Sequence, residues 1–424
     1  MPWLFVLAML VTAGWSIHEA AGGDFAFRDG DTVAFLGDSI TAARDYTKIV
    51  EHYTLMRFPQ RNVRFLNAGQ GGDTAEGSLA RIDRDVFGKG ATVVIVVFGF
   101  NDIGWGMKAD EDHKQRYLAA IRTLIDRCRA HQARPIICSP AITAEVSDKA
   151  EKGFFQEMTD EGLSIAKSLG AETVDLQRGM REIQRRVETA NAGQSDESKH
   201  TRLHVADGVH LNELGHLAMA YVMLKGLGAP AEVSSATIDA ASGTVTESDG
   251  CVISEVATGA DGRFVFSRLD EALPLNRGIF SAFSYAWVPL PEGLNRYLLK
   301  VINLPGGEYE IYAGGRALGK VGSASLARGI NLSSMTADGW QPGGPWDAQA
   351  GLVKEITDAR DRVSVSDFLR ARFAANHPDA ERLDRLTREI DEELVDLQRA
   401  IAKPYPYRFE FRKVEAGAGK TDPK

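Results

Sequence analysis

From Asp31 to about Gly228, short β-branched apolar runs alternate with longer stretches whose apolar residues recur at helical spacing. That alternation predicts βα units around a parallel sheet, an α/β fold. The expected strands are Thr32–Leu36, Val63–Leu66, Thr92–Phe98, Pro135–Ser139 and Thr173–Asp175, with helices between most of them. Five such strands suffice for a three-layer sandwich. Beyond Pro230 the pattern changes. Gly262–Ser267, Arg296–Asn303, Glu308–Ala313 and Arg316–Val321 read as short strands, with Gly314-Gly315 a hairpin turn. Leu383, Leu386, Ile390, Leu394, Leu397 and Ile401 then line one face of a helix, a stripe expected to be core. The alternating segment from Tyr405 to Phe411 is expected to return as an edge strand, and the tail from Ala416 reads as a disordered end.

Length turns this pattern into a domain plan. A chain of 424 residues exceeds the roughly 250–300 residues at which one core usually stops growing. The division expected is a signal peptide over residues 1–23, an α/β domain over 24–230, a β-rich module over 231–330, and a helical segment with a terminal strand and tail over 331–424. The first segment rests on the apolar run from Trp3 to Val11 followed by Ala20-Ala21-Gly22-Gly23. It implies a secreted or periplasmic protein with no membrane span after cleavage. No basic residue precedes the run, so an uncleaved anchor is the rival reading.

Charge and cysteine usage remove other classes. A net charge of -9 without a long basic run argues against a nucleic-acid partner. The mixed-sign stretches Asp110 to Lys114 and Asp379 to Glu393 read as solvated helix faces. Cys128, Cys138 and Cys251 are too few and scattered for a disulfide framework or zinc ribbon; packing is the simplest reading, with a single Cys128–Cys138 bridge left open. His200, His204, His210 and His216 lack acidic or cysteine partners at metal-site spacing, so no metal is expected; His216 reads as a satisfied interfacial histidine and His204 as a loop residue. Gly69, Gly71 and Gly72 lack the Lys-Ser/Thr pair of a phosphate loop.

Parallel sheets bind ligands beyond the carboxyl ends of their strands, so the chemistry should follow each strand. Gly37-Asp38-Ser39-Ile40-Thr41 follows the first, Asn67 to Thr74 the second, Gly99-Phe100-Asn101-Asp102 the third, and Asp207-Gly208-Val209-His210 precedes the last helix of the domain. A serine hydroxyl needs a base, a group to orient that base, and donors for the oxyanion. Ser39 is the candidate nucleophile, His210 the base, and Asp207 the carboxylate that accepts from Nδ1. The N–H groups of Ser39 and Gly72 and the side-chain amide of Asn101 are the candidate oxyanion donors, with Asp38, Gly99 and Asp102 as supporting residues. Taken alone, Ser39 reads as a helix N-cap, and Asn101 and Gly72 as turn residues; their joint occurrence after successive strands favours the catalytic reading.

These blocks, in this order, resemble the SGNH hydrolase family, also called GDSL-like lipases and acylhydrolases, over about half the chain. The resemblance rests on Gly37-Asp38-Ser39, on Gly72 within Gly71-Gly72-Asp73-Thr74, on Asn101 within Gly99-Phe100-Asn101-Asp102, and on Asp207 with His210. It implies a flavodoxin-like three-layer α/β/α domain and ester or thioester hydrolysis through an acyl-enzyme, with no cofactor. Ile40 stands where many members carry leucine, a change of similar volume. The region beyond Pro230 is loosely similar to the C-terminal extension of some exported bacterial carbohydrate esterases. Its Tyr285, Trp287, Trp340 and Trp346 could stack on sugar rings, but core or turn packing is the simpler role for each.

The expected partner is a small ester or acetylated carbohydrate. The alternatives are a short-chain lipid or general acylhydrolase or thioesterase, or a non-catalytic surface binding module on the same scaffold. The sequence carries no signal for oligomeric state.

Overall fold

The computed structural model describes residues 25–259 and 262–415. The expected signal peptide and the expected tail from Ala416 lie outside the described residues. Strands β1 Thr32–Gly37, β2 Arg64–Gly69, β3 Val93–Val97, β4 Arg134–Cys138 and β5 Glu172–Val174 form a parallel sheet in the order β2-β1-β3-β4-β5, the flavodoxin-like order. All of Val93–Val97 is buried. Strands covered on both faces read as unbroken apolar runs, which is why the sequence disclosed them.

Side-chain alternation along these strands feeds two cores. Val33, Phe35, Val93, Ile95 and Val97 join one, and Ala34, Leu36, Val94 and Val96 the other. The helices that matter for the site and its surroundings are α1 Ser39–Ala42, α2 Asp45–Arg57, α3 Glu111–Ala130, α4 Phe154–Ser168, α5 Leu176–Ala192 and α6 Glu213–Gly226. Helices α2, α5 and α6 cover the first core, and α3 and α4 the second. The result is the expected three-layer α/β/α arrangement.

Beyond residue 230 come β6 Glu232–Asp239, β7 Thr244–Asp249, β8 Cys251–Thr258, β9 Phe264–Asp270, β10 Arg296–Ile302, β11 Glu308–Ala313, β12 Arg316–Gly322, β13 Ile330–Asn331, helices α7 Pro345–Phe373 and α8 Ala380–Ala402, and β14 Tyr407–Lys413. They build two sheets, ordered β13-β10-β6-β7 and β12-β11-β14-β9-β8. Both contribute to one core around Trp346, whose ring lies 5.0 Å from Tyr297 and 6.1 Å from Phe409.

Two expectations are corrected here, and one open alternative is closed. The last strand is central, pairing β11 on one side and β9 on the other, because its Tyr407, Phe409 and Phe411 supply the buried row between them. Segments 231–330 and 331–424 therefore build one sheet together. The apolar stripe of α8 is not core: Leu386, Ile390 and Leu397 are exposed, while Val395, Gln398 and Ala402 are buried. The helix is turned by its polar anchors, since Gln398 Nε2 donates to Glu51 and Thr357. Finally, Cys128, Cys138 and Cys251 are buried free thiols, with no Cys128–Cys138 bridge. The first points into the α3 core from its helix and the second into the other core from β4.

The appended helices grip α2. Arg360 donates to Glu51 at 2.8 Å and to the Phe65 carbonyl at 3.0 Å, and Lys48 pairs with Asp358 at 3.0 Å. Arg44, at the start of α2, pairs with Asp361 at 2.8 Å. The same region that carries the first site segment is thus braced from outside the α/β domain.

Candidate active site

The turn between β1 and α1 sets the serine. Asp38 is the N-cap, its Oδ1 accepting the Ile40 N–H at 3.0 Å. The capping duty that a serine in this turn might have had falls to Asp38, and Ser39 begins the helix. Its hydroxyl lies 2.9 Å from His210 Nε2. The turn is tight enough to need glycine at 37: a Cβ there would stand 2.2 Å from Thr41 Oγ1 and 2.9 Å from the Val97 carbonyl. An N–H in the first turn of a helix has no acceptor within the helix, so that of Ser39 is available to a developing anion.

The imidazole is held by a short loop before α6. Asp207 Oδ2 accepts from His210 Nδ1 at 2.6 Å, while Oδ1 accepts the N–H groups of Val209 at 2.8 Å and His210 at 2.9 Å. These donors, the imidazole first, hold the Asp207 carboxyl down to about 2. With Nδ1–H committed to the carboxylate, Nε2 presents its lone pair to Ser39. The loop is pinned at both ends: Val205 N–H bonds to the His210 carbonyl at 2.9 Å, and Ala144 N–H to the Gly208 carbonyl at 2.8 Å. Side chains 207 and 210 remain about one-third exposed, so substrate can reach them.

Asn101 is oriented from two sides. Its Nδ2 donates to the Asp73 carbonyl at 3.0 Å, and its Oδ1 accepts from Trp105 Nε1 at 2.8 Å. One N–H of the amide is left for a ligand. Gly72 holds φ +74°, a left-handed backbone state that suits glycine. Its segment is anchored by Asp73, whose Oδ2 receives Arg81 Nε at 2.7 Å, with Arg81 also donating to the carbonyls of Ala68 at 2.7 Å and Gly37 at 3.3 Å. Gly99 follows β3 and packs against Pro140 and Phe155.

Two buried carboxyls sit under this cluster. Burial raises Asp38 to about 6 and Asp102 to about 7, against hydrogen bonds from Ile40 and Ala75 that act the other way. Asp102 Oδ1 accepts the Ala75 N–H at 3.0 Å, while Oδ2 is buried with no hydrogen-bond partner among the described residues. Such a carboxyl keeps its proton more readily than a solvated one.

Trp105 is a residue at the cluster that the sequence reading did not single out. It holds φ +60°, which for a bulky residue costs about 1–3 kcal/mol. Its indole orients Asn101 and stands edge-on to the His210 ring at 5.7 Å. The only cue was a tryptophan between Gly104 and Gly106.

The remaining histidines do not join the cluster as ligands. His200 bonds to the Gln194 carbonyl at 2.8 Å and His204 to the Ile142 carbonyl at 2.9 Å. His216 departs from the satisfied role expected of it: its Nδ1 is buried without a partner among the described residues, Nε2 stands 3.9 Å from Asp45, and burial pushes it down to about 4. Its ring packs parallel to Tyr46 at 6.4 Å, and packing rather than hydrogen bonding accounts for its place. Asp110, Asp112 and His113 cluster at the exposed start of α3, where Asp110 Oδ1 caps the His113 N–H at 2.9 Å. Of the aromatic residues singled out beyond 230, Trp346 is core, Tyr285 and Trp287 pack on the α/β domain, and Trp340 is exposed.

Two adjoining cavities flank the cluster, one lined by Asp38 and Ile40 and the other by Trp105. A slot of about 10 Å³ is lined by Asp38, Ile40, Val97, Pro140, Thr143 and Val209. A cavity of about 320 Å³ shares Phe100 and Thr143 with it and extends past Trp105 to Phe155, Gln156, Gln177 and Arg181. A serine hydroxyl within hydrogen-bond reach of an oriented imidazole is an arrangement that acyl transfer can use.

Comparison with known proteins agrees with this picture. Residues 35–218 match the GDSL-like Lipase/Acylhydrolase family. The uncharacterized lipoprotein YqeF of Bacillus subtilis (strain 168) is 32% identical over 148 residues, 33% of this chain and 57% of that protein, so the chain spans little more than half of the relative's length. Among solved structures, BT4096, a gut microbial diltiazem-metabolizing enzyme, superposes with a TM-score of 0.79 at 24% identity, covering 92% of this chain and 98% of its own; that likeness shows a shared fold extending through the appended region. Axe2, an acetylxylan esterase from Geobacillus stearothermophilus, covers 48% of this chain and 97% of its own at 21% identity and a TM-score of 0.41.

Proposed function

We propose, from the premise that residues 35–218 are a GDSL-like lipase/acylhydrolase domain, that this protein is a serine esterase working through an acyl-enzyme. The observation that carries the reading is the continuous line from Asp207 through His210 to the Ser39 hydroxyl, with separations of 2.6 and 2.9 Å. Ser39 Oγ attacks the ester carbonyl as its proton passes to His210 Nε2. The anionic oxygen is met by the N–H groups of Ser39 and Gly72 and by the Asn101 amide. The carbonyl–alkoxy bond then breaks, and the proton on Nε2 goes to the leaving alcohol. Water follows the same route: its proton passes to His210, its oxygen bonds the acyl carbon, and the Ser39–acyl bond breaks to release the acid and restore the hydroxyl.

The substrate we favour is an O-acetyl group on a carbohydrate. The narrow slot lined by Asp38 and Ile40 supports a short acyl group, and the polar floor of the larger cavity supports a hydroxylated alcohol. Action outside the cytoplasm fits the apolar N-terminal run and the description of the Bacillus relative as a lipoprotein. The test is release of acetate from acetylated polysaccharide alongside hydrolysis of long-chain esters. We expect acetate release that disappears in Ser39→Ala and little turnover of long chains; turnover of long chains alone would replace the carbohydrate by a lipid, and release retained in Ser39→Ala would remove the serine mechanism.

A further inference from the structure

The two adjoining cavities differ in size and lining in a way that divides the substrate between them. The slot has room for about one water-sized group. The slot is lined by Asp38 and Ile40, which flank Ser39 in the chain, and by Val209 next to His210, and its wall is mostly apolar. A carboxylic ester has two arms, and an arm confined there can be no longer than an acetyl methyl.

The other arm carries the leaving oxygen, which must take its proton from His210. The larger cavity lies on that side, because its wall is Trp105, whose ring packs edge-on against the His210 imidazole. At about 320 Å³ it would hold about ten water molecules, enough for one substituted ring. Phe100 and Trp105 are roughly parallel at 6.3 Å, and Phe155 tilts toward Phe100 at 5.0 Å, so aromatic faces and edges line one side.

The opposite side is polar and sorted by hydrogen-bonding sense. Gln177 Oε1 is engaged by the Thr159 hydroxyl at 2.6 Å, which leaves its NH₂ group as a donor. Gln156 Nε2 donates to Asp160 at 3.0 Å, which leaves its carbonyl as an acceptor. Arg181 is tied through Nη1 to the Thr143 carbonyl at 3.1 Å and to Gln184 Oε1 at 2.5 Å, and Glu145, Glu151 and Glu188 stand near enough to offset its charge. A surface offering both a donor and an acceptor without strong net charge suits hydroxyl groups, which can do both, better than a carboxylate or an alkyl chain.

Resting on the esterase reading above, we infer that the 320 Å³ cavity is the site for the alcohol half of the substrate, a single polyhydroxylated ring, with Gln156 and Gln177 reading its hydroxyls and Ile40 and Val97 limiting the acyl half to acetyl. Gln156 and Gln177 are specificity-determining residues in this account, and the ring stacks on Trp105.

The experiment compares three acetate esters on the full chain: a mono-O-acetylated methyl hexopyranoside, cyclohexyl acetate and ethyl acetate. The wild type should favour the sugar ester over cyclohexyl acetate. Gln177→Leu should lower kcat/KM for the sugar ester about ten-fold more than for ethyl acetate, chiefly through KM. The methyl hexopyranoside product should inhibit the wild type competitively and Gln177→Leu about ten-fold more weakly. Ile40→Ala should raise the ratio of butyrate to acetate turnover about ten-fold. Equal losses on all three esters in Gln177→Leu, a wild type that prefers cyclohexyl acetate, or an unchanged acyl ratio in Ile40→Ala would each overturn the inference while leaving a serine esterase. Absence of all turnover, with Ser39 unreactive to a fluorophosphonate, would remove the esterase reading itself.

Discussion

Two buried charged clusters, one around Arg268 in the appended region and one at the carboxyl end of the parallel sheet, treat their polar groups oppositely. In the appended region the Arg268 and Asp270 side chains are fully buried, and each of their nitrogens and oxygens has a partner. Arg268 donates to Asp270 at 2.9 Å, to Ser234 at 2.8 Å and to the Leu298 carbonyl at 3.1 Å, while Asp270 also receives Ser234 at 2.6 Å and Tyr297 at 2.6 Å. At the carboxyl end of the parallel sheet, Asp102 leaves one buried oxygen unpartnered among the described residues, and one N–H of the Asn101 amide is unspent. A saturated buried network has nothing left to offer a ligand and serves the fold. Polar groups held in place with valence to spare are what a reaction can use.

That contrast can be broken by substitution on either side. The largest effect on stability belongs to Arg268→Met, which strands the Asp270 carboxylate in the core; chemical denaturation should show a loss of about 3–5 kcal/mol, with the folded fraction hydrolysing ester at the normal rate. Asn101→Ala should do the reverse. Its kcat should fall by about 10²–10³-fold, as expected for one lost oxyanion donor, while its melting temperature stays close to that of the wild type. A large loss of stability in Asn101→Ala with kcat intact would place this residue with the scaffold.

A third effect is a pH dependence. Burial raises Asp102 from its ordinary 3.8 to about 7, so the folded state holds this proton more tightly than the unfolded chain. Its contribution to stability is complete below about pH 4 and is lost as pH rises through 7. Asp38, raised to about 6, acts in the same direction. Asp102→Asn keeps the acceptor for Ala75 and removes the titration, so the variant should gain steadily in stability on the wild type as pH rises from 4 to 8. A pH-independent difference would show that the unpartnered oxygen is not the cause.

How far the sequence disclosed these features follows from the range over which each is determined. Strands β1, β3 and β4 were readable because a strand buried on both faces must be mostly apolar, as in Val93–Val97. Ser39, Gly72, Asn101, Asp207 and His210 were readable because each follows a strand end or shares one short loop. The β7 strand Thr244–Asp249 was not, since all of it is exposed and it has no apolar alternation. Strand β14 showed its alternation, yet period two fixes which face is buried and not how many neighbours a strand has. Helix α7 is held by pairs such as Arg360 with Glu51 and Asp361 with Arg44, whose partners lie about three hundred residues away. Trp105 was hidden for a related reason: its value lies in one hydrogen bond to Asn101 and one ring contact with His210, both products of the folded turn.

The central claim is that the Ser39 hydroxyl is activated by His210 at the end of the parallel sheet. Stoichiometric labelling with a fluorophosphonate, followed by mass mapping of the modified peptide, tests it most directly. The account predicts one adduct per chain, on Ser39, formed far more slowly in His210→Ala and not at all in Ser39→Ala. An adduct on another residue, or labelling of Ser39 at the same rate without the imidazole, would contradict it.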